Sequence, residues 1–263
     1  MKVTRISQLS LAAALIFART VGGPAGAQTL WYNGDLLRDS DPNNIGGIRN
    51  MGGSDYYLYM YDDFIVDGSG WNVTSVWSNN LVMNDVMHYP HYGPGSATQA
   101  FWEIRQGLDA GNGGTFVAGG ETVPAVVTAT GRSHDEGYYA EFDFRINLGG
   151  SGVDLAPGRY WLAVSPYRDG NLFSGDEYYI TQTRGYGAIG SPAGNNGSSW
   201  EAYPNGTDVG YEDMSNDFGF PLDFSMGVGG TQLGTGPVPE PSALLLLGLG
   251  VVIGWVTRKM RFW

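Results

Sequence analysis

The sequence predicts an all-β body, an antiparallel β-sandwich or jelly roll flanked by an apolar helix at each end. Three observations predict it. Two long segments alternate apolar and polar residues with period two. Clusters of Gly, Asn, Asp, Pro and Ser separate one strand-like run from the next. No stretch of the body keeps a helical period for three turns.

The elements follow in chain order. Lys2 and Arg5 precede an apolar run of about ten residues, Leu9 to Ala18, and Ala25-Gly26-Ala27 supplies a small-x-small exit. This is the pattern of a secretory signal peptide over residues 1–27, cut by signal peptidase between Ala27 and Gln28. Strands are expected at Tyr56–Val66, Trp71–Ser78, Thr98–Gln106, Val123–Thr130, Tyr138–Leu148, Arg159–Ser165, Glu177–Thr183 and Asp217–Val228. In Tyr138–Leu148, the residues Ala140, Phe142, Phe144 and Ile146 share one face, and Glu141, Asp143 and Arg145 share the other. In Asp217–Val228, Phe218, Phe220, Leu222, Phe224, Met226 and Val228 form the apolar face, and Pro221 places the strand at an edge or a bulge. Arg38–Asn50, Asp109–Gly120 and Tyr186–Gly210 read as loops. Gly227–Pro237 is Gly-rich, so the domain is expected over 28–228 and a flexible linker over 229–237.

The last segment, 238–263, has three parts. Val238-Pro239-Glu240-Pro241 is stiff and extended. An apolar run of 14 residues, Ala243 to Val256, follows, and Arg258, Lys259 and Arg261 make a basic tail over 258–263. As a helix that run spans about 21 Å, short of the roughly 30 Å hydrocarbon core, so length alone favours burial in a protein. The flanks decide for a transmembrane helix over 242–257. A terminal basic cluster stays cytoplasmic, and the N-terminal signal puts the body on the other side.

Charge divides the chain in the same way. The formal net charge is −12, but the only lysines are Lys2 and Lys259, one at each extreme. Between residues 28 and 257, eight arginines stand against all 26 acids, which leaves that interval at −18. Nucleic acid is excluded as a partner, because tracking phosphates needs clustered cations. Cys is absent, which removes thiolate catalysis, disulfides and Cys-ligated metals together.

Val238-Pro239-Glu240-Pro241, a Leu/Gly-rich helix and a basic end, in that order at the C-terminus, resemble the PEP-CTERM sorting signal. The resemblance covers about a tenth of the chain and implies an exosortase substrate. In that family an integral-membrane exosortase recognises the Pro-Glu-Pro segment. Members occur in Gram-negative bacteria that make exopolysaccharide, often biofilm or floc formers. Here Met260 interrupts the basic cluster, and the resemblance leaves Phe262 and Trp263 unexplained. The body is also similar, through Asp62-Asp63-Phe64, Trp71 and Pro157-Gly158-Arg159-Tyr160-Trp161, to the sandwich bodies common among such proteins.

Catalytic constellations are thin. Glu141-x-Asp143 resembles the start of the laminarinase-type Glu-x-Asp motif, but Arg145 and Ile146 stand where the second carboxylate would. A solvated charged face is the better reading. His88, His91 and His134 are the only histidines, and Tyr89-Pro90 prevents a helical i, i+3 display of the first two. Asp39, Asp41, Asp62 and Asp63 are hard-oxygen groups of the kind Ca²⁺ takes, although Asp and Asn also close turns by themselves, which is the favoured reading. Trp200 and Tyr203, in a loop rich in Asn and Ser, are candidate glycan contacts, because exposed aromatic faces stack sugars, although most Trp in a sandwich are core.

These readings converge on an exported, non-enzymatic protein of the envelope or extracellular matrix. It is held in the inner membrane by its C-terminus until an exosortase processes it, and then reaches the periplasm, the cell surface or the matrix in association with exopolysaccharide. A carbohydrate-binding module of defined specificity is the first rival, and a secreted polysaccharide hydrolase the second.

Overall fold

A computed structural model of the chain describes residues 27–37, 46–50, 58–83, 97–167, 178–194, 196–202 and 210–234. The segment expected to be a signal peptide, up to residue 26, the helix expected at 242–257 and the basic tail lie outside the described residues. No helix among those described is long and apolar enough to cross a membrane.

The described residues form fifteen strands. In chain order these are β1 (Gln28–Tyr32), β2 (Gly47–Arg49), β3 (Tyr59–Val66), β4 (Trp71–Met83), β5 (Gln99–Gln106), β6 (Thr115–Pro124), β7 (Val126–His134) and β8 (Tyr139–Asn147). There follow β9 (Val153–Leu155), β10 (Gly158–Tyr167), β11 (Tyr178–Thr183), β12 (Trp200–Ala202) and β13 (Tyr211–Asp213). The short helix α1 (Met214–Phe218) leads to β14 (Asp223–Phe224) and β15 (Met226–Gln232). One sheet has the order β1-β15-β4-β11-β14, with β8 and β9 also on β4, β7 on β8 and β2 on β11. The other has the order β13-β12-β3-β10-β5-β6. All these pairings are antiparallel, as expected from the alternation.

β4 is the spine of the first sheet. Its register with β15 shifts between Val73 and Ser75, leaving Thr74 as an extra residue. A one-residue insertion reverses which side chains face inward. Trp71 and Val73 join the core before the bulge, and Val76 joins it after. Trp77 and Asn79 are therefore turned to the outer face of the sheet.

The main core lies between the sheets. Phe64 of β3 is fully buried, with ring centroids of Trp31 at 5.5 Å, Tyr160 at 5.7 Å and Trp71 at 6.0 Å. It therefore joins β1 and β4 of one sheet to β3 and β10 of the other. Two polar networks also cross the gap. Asp62 accepts from Asn33 Nδ2 at 2.8 Å and from the Phe224 amide, and Asn33 Oδ1 accepts from the Gly194 amide at 2.6 Å. Further along, Asn50 Nδ2 donates to Val164 O at 2.9 Å and Asn80 Oδ1 at 3.1 Å, while Ser78 Oγ donates to Val164 O at 2.8 Å. Buried polar groups are tolerated because they are paired.

Several expectations are corrected. Asp109–Gly120 is not all loop: β6 begins at Thr115 and runs to Pro124, and the chain changes sheet through Ala125 into β7. Tyr186–Gly210 contains β12, and Arg38–Asn50 contains β2. Asp217–Val228 is not one strand. Asp213 caps α1 by accepting from the Ser215 amide, and Gly219, at φ 70°, ends it. Only Leu222, Phe224, Met226 and Val228 of the expected apolar face are fully buried. Strand β15 continues to Gln232, past the expected domain end at 228, so the Gly-rich sequence there is sheet and not linker. The glycines are needed because the neighbouring strands leave no room, as Gly227 shows below.

Candidate functional site

A groove of about 520 Å³ opens on the outer face of the first sheet. Strand pairing builds it. Trp77 and Asn79 of β4 lie opposite Arg145 and Asp143 of β8, which in turn lie opposite Val126 and Thr128 of β7. On the other side Trp77 lies opposite Gly227 of β15, which pairs with Tyr32 at the end of β1. Arg132, Asp35 and Ile189 complete the walls.

Trp77 is the floor. A Cβ on Gly227 would sit 2.1 Å from Trp77 Cζ2 and 2.3 Å from its Cε2, so the indole lies against bare backbone. The guanidinium carbon of Arg145 is 3.7 Å from the Trp77 ring centroid, a cation–π contact that fixes the ring from the groove side. Gly227→Ala is accordingly expected to cost about 1–3 kcal/mol through overpacking. Urea unfolding would show it as a lower midpoint, with the Trp77 fluorescence environment altered in the folded protein.

Charges around the floor are paired. Arg145 donates to Asp143 Oδ2 at 3.0 Å. Arg132 donates to Asp35 Oδ1 at 2.7 Å and to Glu141 Oε2 at 2.5 Å. Tyr32 donates to Asp35 at 2.9 Å, and its oxygen receives Asn79 Nδ2 at 3.0 Å. Burial raises the pKa of the Tyr32 phenol, well outside any physiological titration. Burial also pushes Asp143 and Glu141 above the ordinary carboxylate range; Arg145 opposes this at Asp143, and Thr130 and Arg132 oppose it at Glu141. Glu141 is 1% exposed, so the solvated charged face expected of Glu141, Asp143 and Arg145 is corrected: its first member is buried under Arg132.

The residues singled out from sequence are scattered. Ala27 and Gln28 are exposed where the chain enters β1, while Ala25 lies outside the described residues. Asp39, Asp41, Tyr203, His88 and His91 also lie outside them. Asp62 and Asp63 are both fully buried in the middle of β3 and belong to different networks. Asp63 accepts from Asn196 Nδ2 at 2.7 Å and lies 3.3 Å from Arg159 Nε, whereas Asp62 faces the core. The expected loop around Trp200 is a strand at that residue, and its side chain is only 8% exposed, packed in a cluster with Tyr59, Tyr61, Phe101 and Trp161. Its ring offers no free face for a sugar. One acidic group was not foreseen: Glu201, Glu212 and Asp217 bring carboxylate oxygens within 4.8 Å of one another. Glu201 and Glu212 are cross-strand partners on β12 and β13, a proximity that no spacing in the sequence announces.

A family model describing the PEP-CTERM protein-sorting motif matches residues 237–261. The chain carries a PEP-CTERM sorting motif. The match includes Val238, Pro239, Glu240, Pro241, Arg258, Lys259 and Arg261, the residues that carry the resemblance. No curated protein and no solved structure matches the chain. The PEP-CTERM motif marks an exported protein of a Gram-negative bacterium, anchored at the membrane before processing, with exosortase as its processing partner. In this PEP-CTERM protein the groove and the motif belong to separate parts of the sequence: the groove is built from the body, and the motif begins only after β15 has ended.

Proposed function

We propose that the processed PEP-CTERM protein is a non-enzymatic component of the cell envelope or extracellular matrix, associated with exopolysaccharide. The observation that carries this reading is the sorting motif joined to a strongly acidic, Cys-free β-sandwich. The motif supplies the route, and the paired sheets supply a body that relies on packing in place of disulfides. Glu141 and Asp143 support the non-enzymatic part of the reading, because each is held by an arginine of its own sheet. Glycoside hydrolysis needs two carboxyl groups facing each other across a sugar.

Co-sedimentation of the purified protein with the producing organism's exopolysaccharide tests the association. A body with 25 acids against eight arginines repels anionic polymer unless divalent cations bridge the two. If that polymer is anionic, the protein is expected to pellet with it in Ca²⁺ and to stay in solution with a chelator. Failure to pellet in either condition would remove the exopolysaccharide association.

A further inference from the structure

We propose that the groove over Trp77 binds a neutral sugar unit through two adjacent hydroxyl groups. The assignment deepens the exopolysaccharide reading and rests on it for the physiological source of the sugar.

Arg145 and Asp143 carry the recognising groups. The ion pair between them uses one N–H group and one carboxylate oxygen. Other N–H donors of Arg145 and the second oxygen of Asp143 are engaged by no hydrogen bond among the described residues. Both side chains are partly exposed, at 35% and 19%. A guanidinium donor and a carboxylate acceptor are thus held side by side. A hydroxyl group can donate and accept, so two neighbouring hydroxyls of a pyranose match such a pair. Stacking on Trp77 fixes the plane of the guanidinium before any ligand arrives, which lowers the ordering cost of binding.

The rest of the groove fits the same ligand. Thr128 lies opposite Asp143 and adds an exposed hydroxyl. Asn79 is 2% exposed under the groove, and its Oδ1 is buried without a hydrogen-bond partner among the described residues, so the floor is polar beneath Trp77. Val126 and Ile189, 55% and 46% exposed, offer apolar surface for the C–H face of a sugar ring. The volume of about 520 Å³ lies in the range of small-ligand clefts, roughly 300–1,000 Å³.

Charge selects neutrality. Asp35 and Asp143 are each paired with an arginine, so a cation would have to displace a guanidinium. An anion would approach a strongly acidic body. A neutral polyol meets neither penalty.

The test uses the full chain, solubilised in a detergent without a sugar headgroup. Calorimetric titration with neutral gluco-, manno- and galacto-hexaoses is compared with a uronate hexamer. At least one neutral series is expected to bind, without added Ca²⁺, and the uronate to bind at least tenfold more weakly. Thr128→Met fills the groove from an exposed position, and Arg145→Gln removes the donor. Each is expected to weaken binding at least tenfold, and Thr128→Met to leave the thermal midpoint unchanged. Lack of binding by every neutral hexaose, or binding untouched by Thr128→Met, would overturn the proposal. Co-sedimentation with exopolysaccharide that survives Thr128→Met would remove this groove as the site and leave the exopolysaccharide association standing.

Discussion

Replacing Pro239, Glu240 and Pro241 together by alanine is expected to hold the protein in the membrane fraction at its unprocessed mass. The three residues are the part of the motif that differs most from any generic anchor. Proline holds φ near −65° and favours extended chain over helix, so two prolines set the segment apart from the helix expected after it. Alanines would allow the helix expected at 242–257 to propagate backward into the segment, because alanine is the best helix former. Recognition would then lose both the charge and the shape. Fractionation and immunoblotting of wild type and variant in the producing organism would decide. A variant released at the mature mass would show that processing does not read this segment. Neutralising Arg258, Lys259 and Arg261 serves as the contrast, since it perturbs topology and leaves the Pro-Glu-Pro segment intact.

The second large effect falls on Asp62. Asp62→Ala removes the acceptor for Asn33 Nδ2 and for the Phe224 amide, both buried. Stranded buried donors cost about 1–3 kcal/mol each, so a loss of about 2–6 kcal/mol is expected. For a domain of this size that lowers the thermal midpoint by roughly 5–20 °C. Asp62→Asn retains an acceptor oxygen and should lose less. The same carboxyl makes stability depend on pH. Burial first, then the Asp223 and Asp63 carboxylates, push the Asp62 pKa well above its ordinary value of 3.8. Burial raises Asp63, Asp143 and Glu141 as well. A group whose pKa is higher in the folded state binds more protons there than in the unfolded chain. Stability then falls as pH rises from the ordinary carboxylate value through the raised ones. Thermal unfolding between pH 4.5 and 8 is expected to show a higher midpoint at pH 5 than at pH 7.5, with a shallower slope in Asp62→Asn. A midpoint that climbs with pH would contradict the assignment.

The sequence made the architecture and the ends legible, and the groove much less so. Alternation over Tyr138–Leu148 is a local signal, and the structure keeps Phe144 and Ile146 fully buried as that pattern requires. The sorting motif is also local, with its three parts contiguous in 237–261. The groove depends on residues that meet only through pairing. Trp77 and Arg145 are 68 positions apart, and Gly227 is 150 from Trp77. Gly227 and Gly229 alternate as strand residues do, but a glycine-rich run reads as flexible unless the bulky neighbour that demands it is known. Trp200 failed for the converse reason. Its flanking Asn and Ser residues indicated a loop, whereas pairing of β12 with β3 and β13 places the ring in an aromatic cluster. Asp62 looked like a metal ligand or a turn residue because nothing nearby in sequence announces Asn33 or Phe224.

The position of β15 sets an order of events. It is the last strand described before the sorting motif, yet it lies inside its sheet, between β1 and β4. Its partner on one side is the strand that begins at the expected signal cleavage site, with Gln28 opposite Gly230. During export the N-terminal strand emerges first and waits beside an empty slot until residues 226–232 have crossed. The sheet closes late, when nearly the whole chain is outside and the C-terminal anchor is next to arrive. The strand that begins the body and the strand that ends it thus complete one sheet together, and because they run antiparallel, Gln28 and Gln232 lie at the same end of it.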